Sequence, residues 1–452
     1  MNGLPQGVLI GWYGDDFTGS AAVMEVLEFA GLPAVLFLDI PTPALLARFP
    51  QARAIGIAST ARSHGPDWMA RHLPPAFAFL KETGAGVVHY KTCSTLDSAP
   101  HVGSIGAAID LGLAAVGGWA PCLVAAPALR RYQAFGHLFA GAPEGVFRLD
   151  RHPVMSRHPV TPMDESDVAR HLARQTSRRF GLVDLEDFSA DAHKALEREL
   201  DRGAEVICLD ALREAEMARC GALIWEGRTG PRLAIGSQGV EYALVAHWRE
   251  TGALATQELW QTAGPVAQMP VVSGSVSPVT AAQIDWASQN GFAPIALDAA
   301  AVVFADAGAE ERAFDEALAA LSNGRDPLIH SARGPDDPGV ARMRAAVSRA
   351  GLAGDEANAR IGAALGRLLA RLLRETGLRR AVISGGDTSG HAARQLGLYA
   401  FTALAPTIPG AALLQAHSDE PGMAGLQLAL KGGQMGSPDY FGWIKRGGGT
   451  AG

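Results

Sequence analysis

The run Ala381-Val382-Ile383-Ser384-Gly385-Gly386-Asp387-Thr388-Ser389-Gly390 takes a short apolar segment into a glycine pair and then into a Thr/Ser-rich helix start, ahead of a helical stretch ending at Leu398. A strand that turns through glycine into a helix leaves bare backbone N–H groups and the positive end of a helix dipole facing the turn. That is a setting for an anion, typically phosphate. The N-terminus repeats the construction. Residues 8–12 are apolar, Tyr13-Gly14-Asp15-Asp16-Phe17-Thr18-Gly19 follows, and an amphipathic stretch over 20–30 closes on Gly31. One turn is glycine-rich and the other acidic, so the two suit different ligands.

Outward from these turns, short apolar runs recur with helical stretches between them. They fall at 34–38, 54–58, 86–90, 122–126, 206–209 and 233–236, and again at 271–272, 295–296 and 328–329, with long helices over 309–322 and 356–376. This alternation predicts an α/β fold with mainly parallel sheets. The chain has 452 residues, 48% of them hydrophobic, and single cores stop growing beyond roughly 250–300 residues, so two domains are expected. Thr251-Gly252, Gly264-Pro265 and Met269-Pro270 break the weak periodicity of 247–270. The expected domains are therefore 1–246 and 271–445, both α/β, with a ligand cleft between them. The Gly-rich tail 446–452 reads as unstructured.

The formal net charge is −7 and no run of consecutive Lys or Arg is longer than two, which argues against a nucleic-acid partner. Four cysteines without a CxxC pair fit a reducing cytoplasm. The N-terminal apolar run is short, interrupted by Gly11 and followed by two aspartates, unlike a signal peptide. No apolar stretch approaches the roughly 20 residues that span a bilayer, so no membrane partner is expected. A homodimer is compatible with this size, without an interface to point to.

Three glycine-bearing turns lie far apart in the second half: Ser273-Gly274-Ser275-Val276-Ser277, the turn at 385–390, and Lys431-Gly432-Gly433-Gln434-Met435-Gly436. The C-terminal ends of parallel strands share one edge, so such turns can converge on one ligand. Glycine admits close backbone approach to phosphates, Ser and Thr add donors, and Lys431 would neutralise charge. Each turn alone reads equally well as a tight turn or C-cap, with Asp387 or Thr388 as an N-cap; three together favour a nucleotide-phosphate cradle. GxxxxGK[ST] is absent, and GxGxxG occurs only in the Gly-rich tail at 447–452, with no apolar strand before it and no helix after it.

In the first half, Asp15 and Asp16 can bind substrate hydroxyls, accept a proton or hold a magnesium ion through water, or simply cap the following helix. Ser59-Thr60-Ala61-Arg62 offers one guanidinium suited to a carboxylate, or an ordinary surface arginine. Lys91-Thr92-Cys93-Ser94-Thr95-Leu96-Asp97-Ser98 sets hydroxyls beside a cation, the mixture a sugar acid needs. His64, His89, His101, His137, His152, His158 and His171 show no metal-ligand spacing and are assigned to surface or polar-network roles. Mg²⁺ is expected with the nucleotide, held mainly by phosphates, and no protein ligand to a metal is assigned.

Six of these segments, in order and nearly end to end, resemble the motifs of the four-carbon acid sugar kinases, a two-domain family. They are GDDFTGS, the segment ending in Arg62, the Lys91 segment, SGSVSPVTAAQI at 273–284, GGDTSG, and LKGGQMGSPDYF at 430–441. The resemblance implies an ATP-dependent kinase with a sugar-acid-binding N-terminal domain and a nucleotide-binding C-terminal domain. It assigns Asp15, Asp16, Arg62, Lys91, Cys93, Ser94 and Thr95 to substrate. It assigns Ser273, Gly274, Ser275, Gly385, Gly386, Asp387, Thr388, Lys431, Gly432 and Gly433 to the nucleotide. Asp16 and Asp387 are the catalytic candidates, Asp16 as base. Cys93 and Asp97 stand where the family usually has Asp and Arg. This variant resembles the branch associated with RuBisCO-like proteins, which implies 3-oxo-isoapionate or a related branched or oxo acid as acceptor, against 3-oxo-tetronate, D-threonate or D-erythronate. An NAD-dependent acid-sugar dehydrogenase and a non-catalytic sugar-acid sensor are the alternatives of other classes.

Overall fold

In the computed structural model, residues 3–142, 144–158, 160–256 and 262–449 are described. The chain divides into two units, Met1–Glu258 and Leu259–Gly452.

The apolar runs of the first unit become strands β1 (Ile10–Gly14), β2 (Ala34–Phe37), β3 (Ala54–Ala58), β4 (Val87–Lys91) and β5 (Ala120–Leu123), followed after an interruption by β9 (Phe180–Val183), β10 (Val206–Leu209) and β11 (Arg232–Gly236). They pair in the order β2-β3-β1-β4-β11-β5-β10-β9, every pair parallel. Strands buried on both faces need apolar residues at every position, not at alternate ones. That is why they were visible as continuous runs. The interruption is a three-stranded antiparallel sheet of β6 (Arg131–Ala134), β7 (His137–Ala142) and β8 (Gly145–Arg148). Its strands are only half buried, β7 in strict alternation, and such strands escape a search for apolar runs. The core packs Leu73, Phe77 and Leu80 of the helix Pro66–Glu82 with Ile109, Val88 and Leu233.

The second unit contains β12 (Val271–Ser273), β13 (Phe292–Ala296), β14 (Asp326–His330), β15 (Arg380–Ser384), β16 (Leu398–Ala405), β17 (Leu413–Ser418) and β18 (Gln427–Lys431). Within it the order is β13-β14-β12-β15-β18-β17-β16. The first five are parallel and the last two join antiparallel. Among the described residues no helix is long and apolar enough to cross a membrane.

Two expectations need correction. The helix Gly239–Glu250 runs past the expected end of the first domain at 246, and residues 263–266, expected between the domains, belong to the second unit. Ala263 N donates to Gly447 O at 2.9 Å and Val266 N to Lys445 O at 3.0 Å. The tail is likewise ordered as far as Gly449, whose N–H donates to Pro406 O at 2.7 Å. The cause is Arg380, 1% exposed: its guanidinium donates to the carbonyls of Gly264, Ile444 and Lys445 at 2.8–3.1 Å. A buried guanidinium demands acceptors, and these two segments supply them. Residues 450–452 lie outside the described part.

Candidate functional site

In the first unit β1 lies between β3 and β4, with Gly14 opposite both Ala58 and Lys91. The segments that follow these strands therefore start from one sheet edge, and hydrogen bonds stitch them together. Asp15 N donates to Lys91 O at 3.0 Å, Arg62 N to Asp15 O at 3.1 Å, and Thr92 N to Gly236 O at 2.6 Å. Asp15, Asp16, Arg62 and Lys91 are thus brought together, far apart as they are in sequence.

Asp16 is the N-cap of the helix Phe17–Phe29. Its Oδ1 accepts from Gly19 N at 3.0 Å and its Oδ2 from the Thr18 hydroxyl at 2.8 Å, with Arg62 Nη2 at 3.2 Å from Oδ2. Burial works against its charge, yet Arg62 and Lys91 prevail and hold its carboxyl below the usual range. Asp15 is equally buried but differently placed. Its Oδ1 has no hydrogen-bond partner among the described residues, and burial raises its carboxyl to about 7, Lys91 opposing and Asp16 adding to the rise. Lys91 is 2% exposed and its Nζ donates to Thr92 O at 2.6 Å. A Cβ on Gly19 would stand 2.3 Å from both Lys91 Nζ and Asp16 Oδ1. Only glycine fits there.

The segment after Lys91 forms a short relay. Thr95 donates to Asp97 Oδ1 at 2.8 Å, because a carboxylate can only accept. The Cys93 thiol, 3.1 Å away, therefore donates to Thr95 Oγ1. Burial, reinforced by Asp97, pushes that thiol up to about 11, so Cys93 serves as a neutral donor and not as a nucleophile. Ser94 is half-buried beside it. Arg131, on β6, was missed by the sequence reading. Burial pulls its guanidinium below the usual value, the nearby Asp97 opposing; its buried Nε has no partner among the described residues, while Nη1 is held by the Leu129, Arg130 and Gly141 carbonyls at 3.1–3.4 Å. No run of apolar residues marks it, because it comes from the half-exposed sheet.

In the second unit the three glycine turns meet. Ser331 N donates to Ser273 O, Gly274 N to Ser384 O, and Gly385 N to Lys431 O at 2.8–3.0 Å, so four adjacent strand ends are joined just past β14, β12, β15 and β18. A cavity of about 300 Å³ opens over them, lined among others by Gly274, Ser275, Gly385, Gly386, Thr388 and Gly433. A Cβ on Gly274 would lie 2.2 Å from Thr388 Oγ1, and one on Gly433 would lie 2.6 Å from Ser275 Oγ. Gly385 takes φ +123°, which excludes other side chains. The helix Gly386–Ala393 begins at the cavity, and the Ser384 hydroxyl beneath it is buried without a partner among the described residues. Backbone amides, hydroxyls and a helix start in a space side chains cannot enter fit a phosphate chain.

Not every expected residue lines this cavity. Ser273 is fully buried in β12. Lys431 is fully buried, and its Nζ turns to the carbonyls of Gly432 (2.9 Å) and Met435 (3.3 Å), so it folds the 432–436 loop in place of facing the cavity. With no carboxylate beside it among the described residues, it is pulled down to about 7 by burial. Gly432 belongs to that loop. The Asp387 side chain lies outside the described part. Arg344, Asn358 and Met343 also line the cavity; they sit on helices remote from any glycine motif, which is why sequence reasoning missed them.

Two family models match the chain, one described as a sugar-binding N-terminal domain over residues 10–244 and one as a nucleotide-binding C-terminal domain over 271–441. A 3-oxo-isoapionate kinase of Paraburkholderia graminis is 46% identical, over 98% of this chain and 95% of its own length. The 3-oxo-tetronate kinases of Cupriavidus necator (29%, over 96% and 95%) and Burkholderia multivorans (30%, over 96% of each) are more distant. Among solved structures, a Salmonella typhimurium LT2 protein matches with TM-score 0.77 at 26% identity, over 97% of this chain and 98% of that one. Haemophilus influenzae protein HI1011 matches with TM-score 0.69 at 25% identity, over 96% and 99%.

Proposed function

The chain belongs to the four-carbon acid sugar kinases, and from that premise we propose that it transfers the γ-phosphoryl group of ATP to a hydroxyl of 3-oxo-isoapionate or a related branched or oxo acid. The observation that carries the proposal is the pair of strand-end sites, one per unit, with different chemistry. The first unit gathers Arg62, Lys91 and Arg131 beside the hydroxyls of Ser94 and Thr95. Guanidinium and ammonium groups suit a substrate carboxylate, and hydroxyls suit its oxygens. The second unit supplies the cavity floored by Gly274, Gly385 and Gly433, which would take the phosphates, with Mg²⁺ carried mainly by phosphate oxygens. Its role is positioning and charge stabilisation, the main protein contributions to phosphoryl transfer.

The preference for a branched or oxo acid rests on two supports: the 46% relative, and the Cys93–Thr95–Asp97 relay, which presents no acceptor at 93 and no donor fork at 97. Free thiols at Cys93, Cys122, Cys208 and Cys220 suit a reducing cytoplasm. Calorimetry with ATP, ADP and NAD tests the class. A kinase binds ATP or ADP with Mg²⁺; tight NAD binding would support a dehydrogenase, and no nucleotide binding under any condition would support a sensor.

A further inference from the structure

Asp15 and Asp16 are consecutive residues with opposite surroundings. Both oxygens of Asp16 are committed, to the helix it caps, to Thr18 and to Arg62, so its charge is spent on structure and on orienting the guanidinium. Asp15 is 2% exposed and its Oδ1 is buried with no partner among the described residues. Buried polar atoms are rarely left unpaired, and one that is calls for a ligand or a reactive role. Its backbone is pinned on both sides, through Lys91 O at 3.0 Å and Arg62 N at 3.1 Å, so the strand ends fix where it stands. Among the described residues, the ionisable groups around it are Asp16 on its own turn, Arg62 after β3, Tyr90 and Lys91 on β4, and Cys93 and Asp97 beyond it.

Resting on the kinase assignment above, we propose that Asp15, not Asp16, is the general base. Its Oδ1 accepts the proton of the acceptor hydroxyl while that oxygen forms a bond to the γ-phosphorus of ATP. The bond from that phosphorus to the β,γ-bridging oxygen breaks, ADP leaves, and the proton is later released to solvent. A base must be deprotonated to act, and a carboxyl raised to about 7 lies where proton affinity and availability are balanced at neutral pH.

The test compares Asp15→Asn, Asp15→Glu and Asp16→Asn with wild type, on the acid that wild type phosphorylates best. Asp15→Asn is expected to lower kcat by about 10³-fold, within the 10²–10⁴ range of general-base catalysis, while the Kd for the sugar acid changes less than about threefold. Asp16→Asn is expected to act mainly on KM. Wild-type kcat/KM is expected to fall on the acid side of about pH 7. Asp15→Asn turnover within about tenfold of wild type overturns the proposal. Should that variant not fold, a wild-type profile flat from pH 5.5 to 8 overturns it as well. A wild type without kinase activity on any acid tested would instead sink the kinase assignment, so the two failures are distinguishable.

Discussion

Asp16 and Arg62 form a 3.2 Å ion pair across the ends of two neighbouring parallel strands, β1 and β3. The same carboxylate caps the helix Phe17–Phe29 through Gly19 N, so one side chain sets both the helix start and the direction of the guanidinium. The two roles can be separated. Asp16→Asn keeps a cap acceptor and loses the charge that Arg62 and Lys91 favour, so stability at neutral pH should fall while KM for the sugar acid rises about tenfold. Asp16→Ala should lose a further ~1 kcal/mol of stability with the cap. Denaturant unfolding and steady-state kinetics on both variants check this.

Gly274 and Gly433 face hydroxyls at distances no Cβ tolerates, 2.2 Å to Thr388 Oγ1 and 2.6 Å to Ser275 Oγ. Gly274→Ala or Gly433→Ala should push these donors away and weaken ATP binding about tenfold, ~1.4 kcal/mol. Sugar-acid affinity should not change. Calorimetric titration of each ligand separately is the measurement.

His89 and Glu241 form a fully buried pair at 2.7 Å, with His89 Nε2 3.1 Å from Gly236 O. The Gly236 carbonyl also accepts from Thr92 N, so this pair sits under the Lys91 segment. Removing one partner strands the other, and His89→Leu or Glu241→Leu should each cost about 3–5 kcal/mol. The double variant should cost less than the sum of the two. Urea unfolding of all four proteins decides it.

Arg131 brings a guanidinium to the segment where the family arginine is replaced by Asp97. If it serves the substrate carboxylate, Arg131→Met should raise KM for the acid about tenfold or more and leave nucleotide binding unchanged. Introducing Asp97→Arg into that variant should restore part of the loss. Kinetics on the single and double variants would show an equal effect on both ligands if the role were only structural.

Much of this was legible in the sequence for a physical reason. Parallel strands buried on both faces must be apolar at each position, so 54–58 and 206–209 were read with the bounds the structure has. Glycine turns at strand ends carry the backbone requirement in the residue itself, and Gly274, Gly385 and Gly433 indeed meet. What the sequence hides is the direction of a side chain. Lys431 follows the same strand-end rule, yet its ammonium points to its own loop. Asp15 and Asp16 look alike until the partners of each are counted. The half-exposed β6–β8 sheet, and Arg131 with it, gives no continuous signal, and Arg344 and Asn358 reach the cavity from helices with no motif of their own.

The most direct measurement is kcat/KM for Mg-ATP-dependent phosphorylation of 3-oxo-isoapionate, 3-oxo-tetronate, D-threonate and D-erythronate by the wild-type protein. On the proposed reading, the Cys93–Asp97 segment would leave a plain tetronate with polar groups unpaired, at on the order of 1–3 kcal/mol each, so 3-oxo-isoapionate should be preferred over D-threonate and D-erythronate by roughly tenfold to a hundredfold or more. Equal or better activity on D-threonate or D-erythronate would contradict the substrate assignment. ADP release no faster with any acid than without one would contradict the kinase assignment itself.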